Sequence, residues 1–141
     1  MRKCGLSLRE LVDAYCKEVR SVLELAVPVW HPGITNEQSM KIERIQKSSL
    51  SAILGKNYIS YENALKISGL KFLSERRDDI CLKFICKNME SPNPLLEKME
   101  KMHNTRSDQN LAKEFQCRSQ NFFMSSLPFL ARKYNSYLKS K

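Results

Sequence analysis

With 141 residues, 42% hydrophobic and 28% charged, the chain has room for one modest core and lacks the skew of a disordered or fibrous protein. Four glycines and five prolines are too few for a loop-rich or all-β design, and no run of about 18 residues is free of charge, so no membrane span is expected. The net charge is +9, and residues 101–141 hold eight cations against two acids, so six of the nine excess charges lie there.

A basic terminal segment suits a polyanion, because binding releases counterions. A solubilising tail has the same composition. The five cysteines, at 4, 16, 81, 86 and 117, form no C-x-x-C pair. The start Met1-Arg2-Lys3-Cys4-Gly5 leads into no apolar run, so no signal peptide is expected. Reduced thiols in a cytoplasmic or nuclear protein are the simplest reading.

In chain order, Ser7 and Glu10 have capping-box spacing and predict a helix from Leu8. Leu8, Leu11, Val12, Tyr15, Val19, Val22, Leu23 and Ala26 then recur at steps of three and four, one apolar face over about five turns. Pro28 should stop or kink this helix. Trp30, just before the Pro32-Gly33 turn, is expected to be a buried anchor between the first two helices.

Thr35 and Gln38 form a second capping box, which predicts a helix over Asn36 to Leu54 with Gly55 as a left-handed cap. Its core face would be Met40 or Ile42, then Ile45, Ser49, Ala52 and Ile53. Ser60 and Gly69 bracket a short third helix carrying Ala64, Leu65 and Ile67. Ser74 could cap a fourth, with Leu73, Ile80, Cys81, Phe84 and Ile85 inward and Pro92 and Pro94 at its end. Leu95, Leu96 and Met99 suggest a short fifth helix, 101–112 a loop, and 113–124 an extended segment. Ser125 or Ser126, with Pro128 in the first turn, starts a last helix ending near Tyr137.

The order Tyr15, Arg20-Ser21-Val22-Leu23-Glu24, Trp30, Glu43, Gln46-Lys47 and Leu54-Gly55 forms the first half of a longer pattern. It continues with Tyr61, Ala64-Leu65, Leu70, Leu73, Arg76-Arg77, Ser125, Pro128, Arg132 and Asn135. In sequence and spacing this resembles the region after the polymerase domain in jockey-like and related non-LTR retrotransposon proteins. Leu25 stands where that family often has Tyr, and Ser48 and Ser51 stand where basic residues are common. The resemblance implies a parent RNA-directed DNA polymerase whose endonuclease and polymerase domains are absent from this sequence.

No residue set promises catalysis. Two-metal polymerase chemistry needs a carboxylate cluster. The one acidic pair, Asp78-Asp79, sits in a helical pattern and reads as a solvated face. Cys81 and Cys86 are five apart with no histidine nearby, which suits buried thiols better than zinc. His31 and His103 have no partner Ser, Cys or Asp at a recognisable spacing. Arg76-Arg77 could grip phosphate, but the pattern favours a structural role. Lys41, Arg44 and Lys47 form a basic stripe on the second helix, with Glu37 and Glu43 close by. Phe115, Phe122, Phe123, Phe129, Tyr134 and Tyr137 interleave with Arg118, Arg132 and Lys133, as a stacking surface or as a lid on the core.

The expectation is therefore an all-α fold of two long antiparallel helices, three or four shorter ones and an extended C-terminal strap. Residues 1–100 would form a helical domain and 101–141 a basic tail. The expected function is that of a non-catalytic C-terminal fragment of a retrotransposon polymerase protein with weak, sequence-tolerant nucleic-acid binding. Lys41, Arg44, Lys47, Arg106, Lys113, Arg118, Arg132 and Lys133 would carry that binding. No cofactor, metal, membrane or small-molecule substrate is expected. A helical interaction module, docking on a polymerase domain or on itself, is the second reading, and a genomic remnant the third.

Overall fold

The computed structural model describes residues 5–90, 119–120 and 124–140, without the side chains of residues 89 and 90. All regular structure among these residues is helical. The elements are α1 (Leu8–Ala14), a π segment (Tyr15–Arg20), α2 (Ser21–Leu23), α3 (Val27–Trp30), α4 (Asn36–Leu54), α5 (Tyr61–Ser68), α6 (Leu73–Glu90) and α7 (Ser126–Lys139). Short 3₁₀ turns at His31–Gly33 and Gly55–Asn57 follow α3 and α4. The longest elements are α4, of 19 residues, and α6, of 18. The expected fifth helix, the loop at 101–112, most of the strap and the boundary at residues 100 and 101 lie outside the described residues.

The helix ends follow from local chemistry. Both capping boxes form: the Ser7 and Thr35 hydroxyls accept from the third amide of their helices, and Glu10 and Gln38 reach back to the cap amide. Ser60 caps α5, and Gly69 ends it in the left-handed conformation. Gly55 also has positive φ, 54°, but its ψ of −118° lies outside the left-handed helical well and leads into a 3₁₀ turn.

The first helix departs from expectation. It carries a π segment, whose wider turn slips its inward face by roughly one residue. Leu11, Val12 and Tyr15, before the slip, are buried. Val19 and Val22 after it are exposed, Val22 to 70%, while Arg20 and Glu24 are largely covered. The helix ends at Leu23 and not at Ala26, which takes left-handed φ of 52° and starts α3 with Pro28 in its first turn.

The chain divides into two compact units, Met1–Leu25 with Thr35–Arg77, and Ala26–Ile34 with Asp78–Lys141. In the first, Leu11, Val12 and Tyr15 pack with Leu50, Ile53 and Leu54 of α4 and Ala64 and Leu65 of α5. The inward face of α4 is thus Gln46, Leu50, Ile53 and Leu54. Of the alternatives Met40 and Ile42, Met40 is exposed and Ile42 half-buried, while Ile45 and Ala52, expected inside, are exposed, as is Ile67 of α5. In the second unit, Val27, Cys81, Ile85, Leu130 and Ala131 form the core. Trp30 sits at the edge of this core, half-buried, with Ile80, Phe84, Phe129 and Tyr134. Trp30 is therefore half-buried where a buried anchor was expected, and the fully buried residue of this core nearest to it in sequence is Val27.

Candidate nucleic-acid interface

The candidate surface is one face of α4, and it is defined by what the opposite face does. Gln46 is fully buried, and both its amide hydrogens and its carbonyl oxygen are bonded. Its carbonyl accepts from the Tyr15 hydroxyl at 2.9 Å, and its amide nitrogen donates to the Tyr61 hydroxyl at 2.9 Å and the Lys71 carbonyl at 3.0 Å. Tyr61 in turn donates to Glu43 at 2.5 Å. The same Glu43 oxygen accepts the Leu73 amide at 3.1 Å, at the start of α6. Burial pushes the Tyr15 phenol up to about 12 against the pull of Arg20. Burial also raises Tyr61, helped by its bond to Glu43.

A second set closes the other end of the same unit. Arg76 donates through Nε and, at 3.1 Å, through Nη2 to Glu24, and Arg20 Nε lies 3.5 Å from the same carboxylate. Arg77 is 1% exposed and donates to the Ser39 hydroxyl at 2.5 Å. Arg76 and Arg77 are thus tied into the fold, the structural role that the pattern favoured. Among the residues that carry the resemblance in this unit, Tyr15, Gln46, Tyr61 and Glu43 bond in one set and Arg20, Glu24 and Arg76 in another.

The consequence is a separation of charge on α4. Glu43 is turned inward, whereas Lys41, Arg44 and Lys47 are exposed. At 100° per residue, Arg44 stands about 160° round the helix from Gln46. Lys41 pairs with Glu37 at 2.8 Å, one turn away and equally open to water. The sequence pattern placed Glu43 beside the stripe as a neutralising acid, and its bond to Tyr61, eighteen positions on, has no local signature.

The other expected binding residues fare differently. Arg106, Lys113 and Arg118 lie outside the described residues. Arg132 is half-buried on α7. Lys133 is engaged: its Nζ lies 2.8 Å from Asp78 Oδ1 and 5.9 Å from the centre of the Phe129 ring. His31 Nε2 lies 3.2 Å from the same Asp78 oxygen. Asp78 is therefore not on a merely solvated face but at the centre of a three-residue cluster in the second unit. Burial pushes its carboxyl up, and Lys133 and His31 outweigh that and hold it below its ordinary value. His31 thus has an acidic partner 47 positions away, a separation with no recognisable spacing in the sequence. Phe129 and Tyr134 pack on the core, as a lid would, and Phe115, Phe122 and Phe123 lie outside the described residues.

The first unit also carries a groove apart from these cations. An apolar groove of about 510 Å³ in the first unit is lined by Leu6, Leu11, Ala14, Tyr15, Val19, Ala52 and Ile53, with Glu18 and Ser49. Among the described residues no three His, Cys, Asp or Glu side chains converge to hold a metal ion, and no helix is long and apolar enough to cross a membrane. No protein-family model, curated protein or solved structure matches the chain.

Proposed function

We propose that this chain is a non-catalytic helical piece of a non-LTR retrotransposon polymerase protein, from the region after the polymerase domain, and that it binds nucleic acid weakly and without regard to sequence. The observation that carries the binding half is the inward turn of Glu43, which leaves Lys41, Arg44 and Lys47 on the open side of α4. The parentage rests on the ordered pattern from Tyr15 to Asn135. It is supported by the way the matched residues of the first unit bond to each other, as a fold signature would.

Contacts of this kind position a backbone and read no bases. Anisotropy with the pure chain should show binding that weakens steeply as salt rises and varies little among unrelated sequences. Absence of binding at low salt would overturn the proposal. Primer extension or nicking with magnesium or manganese, abolished by Asp78→Ala, would overturn its non-catalytic half.

A second reading, a helical interaction module, draws on the apolar groove and on the exposure of Val19, Val22 and Leu25. Apolar residues grouped on a surface mark contact sites more often than chance. Light scattering across a concentration series tests its self-association form, and a mass of one chain throughout removes that form.

A further inference from the structure

We infer that the α4 face, given the nucleic-acid reading above, takes a duplex in preference to a single strand. Proteins that hold single strands combine a basic track with aromatic rings on which bases stack. The outer face of α4 has the first and lacks the second. No aromatic occurs anywhere in Asn36–Leu54 or in the Gly55–Asn57 turn that follows. The nearest candidates in the same unit, Tyr15, Tyr58, Tyr61 and Phe72, are packed into or against its core. Just beyond Lys47 the helix carries Ser48, exposed, and Ser51, half-buried, short hydroxyls that can donate to phosphate and allow a backbone to come close.

A contact made of charge alone follows charge density. A duplex carries one phosphate per about 1.7 Å of axis, twice the density of a single strand, and each neutralised phosphate releases about 0.9 counterion against about 0.7. With three cations engaged, the salt slope should be about −2.7 for duplex and about −2.1 for a single strand. If the two were equal at 1 M salt, that difference of about 0.6 makes the duplex about fourfold tighter at about 0.1 M.

The test is anisotropy of the full chain against a labelled short duplex and one of its own strands, at two salt concentrations. The comparison protein carries Arg44→Gln and Lys47→Gln, both at exposed positions, with circular dichroism to check that it folds. The portion of binding lost in this variant is the portion owed to α4, whatever other cations contribute. That portion should be severalfold larger for the duplex, and the duplex slope should flatten by about 1.8, two contacts' worth. A loss equal or greater on the single strand overturns the inference while leaving the binding proposal standing. Duplex binding that the two substitutions leave unchanged overturns the α4 site. A wild-type chain that binds neither probe at low salt overturns the proposed function itself.

Discussion

The first unit hides its central polar group and the second leaves its own half open. Gln46 is fully buried and bonded to three partners, whereas Asp78 sits at a surface between His31 and Lys133. A charged cluster sounds stronger than an amide network, yet the physics ranks them the other way. Water competes for an exposed ion pair, so such pairs contribute little. Nothing competes for a buried amide, and removing it strands its partners. Stability in this protein should therefore answer to Gln46 far more than to Asp78.

Gln46→Leu tests that ranking most directly. It keeps most of the volume and leaves the Tyr15 hydroxyl and the Lys71 carbonyl without their amide. We expect a loss of about 3 kcal/mol in denaturant unfolding, roughly the cost of one or two buried polar groups left unsatisfied. Adding Tyr15→Phe should recover part of it, because the stranded hydroxyl goes too. A loss below about 1 kcal/mol would show that water reaches the network.

Trp30→Ala comes next. The indole is half-buried at the edge of the second core, so the cost should be about 2 kcal/mol, below the 3–5 kcal/mol usual for a fully buried aromatic. Unfolding followed by circular dichroism reads it, since the only Trp is then gone. A loss of about 4 kcal/mol would mean that the indole is a central anchor after all.

Asp78→Asn should cost under about 1 kcal/mol near neutral pH, because the carboxylate is half-exposed and its pairs are screened. The sign of its pH dependence is fixed by the downward shift. A carboxylate depressed in the folded state contributes above its unfolded value of about 3.9 and loses that contribution as pH falls through the folded value. The gap between wild type and variant should thus hold at neutral pH and close below about pH 4. A gap that persists unchanged at about pH 2, where the carboxylate is lost in both folded and unfolded chains, would overturn the assignment.

The same contrast explains what could be read from sequence. Helix ends were legible because their chemistry is local: Ser7 with Glu10, Thr35 with Gln38, and Ser60 with Gly69 lie within one element. Helical faces were legible only in part. Apolar spacing at about 3.6 residues per turn puts Val19 and Val22 inward, and the π segment at Tyr15–Arg20 breaks that count and leaves both exposed. On α4 the inward line runs through Gln46, which apolar spacing passes over because its burial depends on partners 31, 15 and 25 positions away. The candidate surface was half legible. Its cations were visible on α4, but the withdrawal of Glu43 and the pairing of Lys133 are tertiary facts.

The smallest effect belongs to Glu37, and it links the stability argument to the surface. Glu37 and Lys41 face each other one helical turn apart at 2.8 Å, both exposed. Such a pair contributes about 0.3–0.5 kcal/mol, and an acid in the first turn of a helix adds a similar amount against the dipole. Glu37→Gln should therefore cost under about 1 kcal/mol, near the limit of detection by denaturant unfolding. Its effect on binding should be the opposite. Losing the carboxylate releases Lys41 and removes an acid from the open side of α4. Duplex affinity at low salt should rise severalfold, because the carboxylate no longer competes with phosphate for Lys41, while the salt slope stays near the value for three contacts. If affinity falls or stays unchanged, Lys41 is no part of the interface, and the face narrows to Arg44 and Lys47.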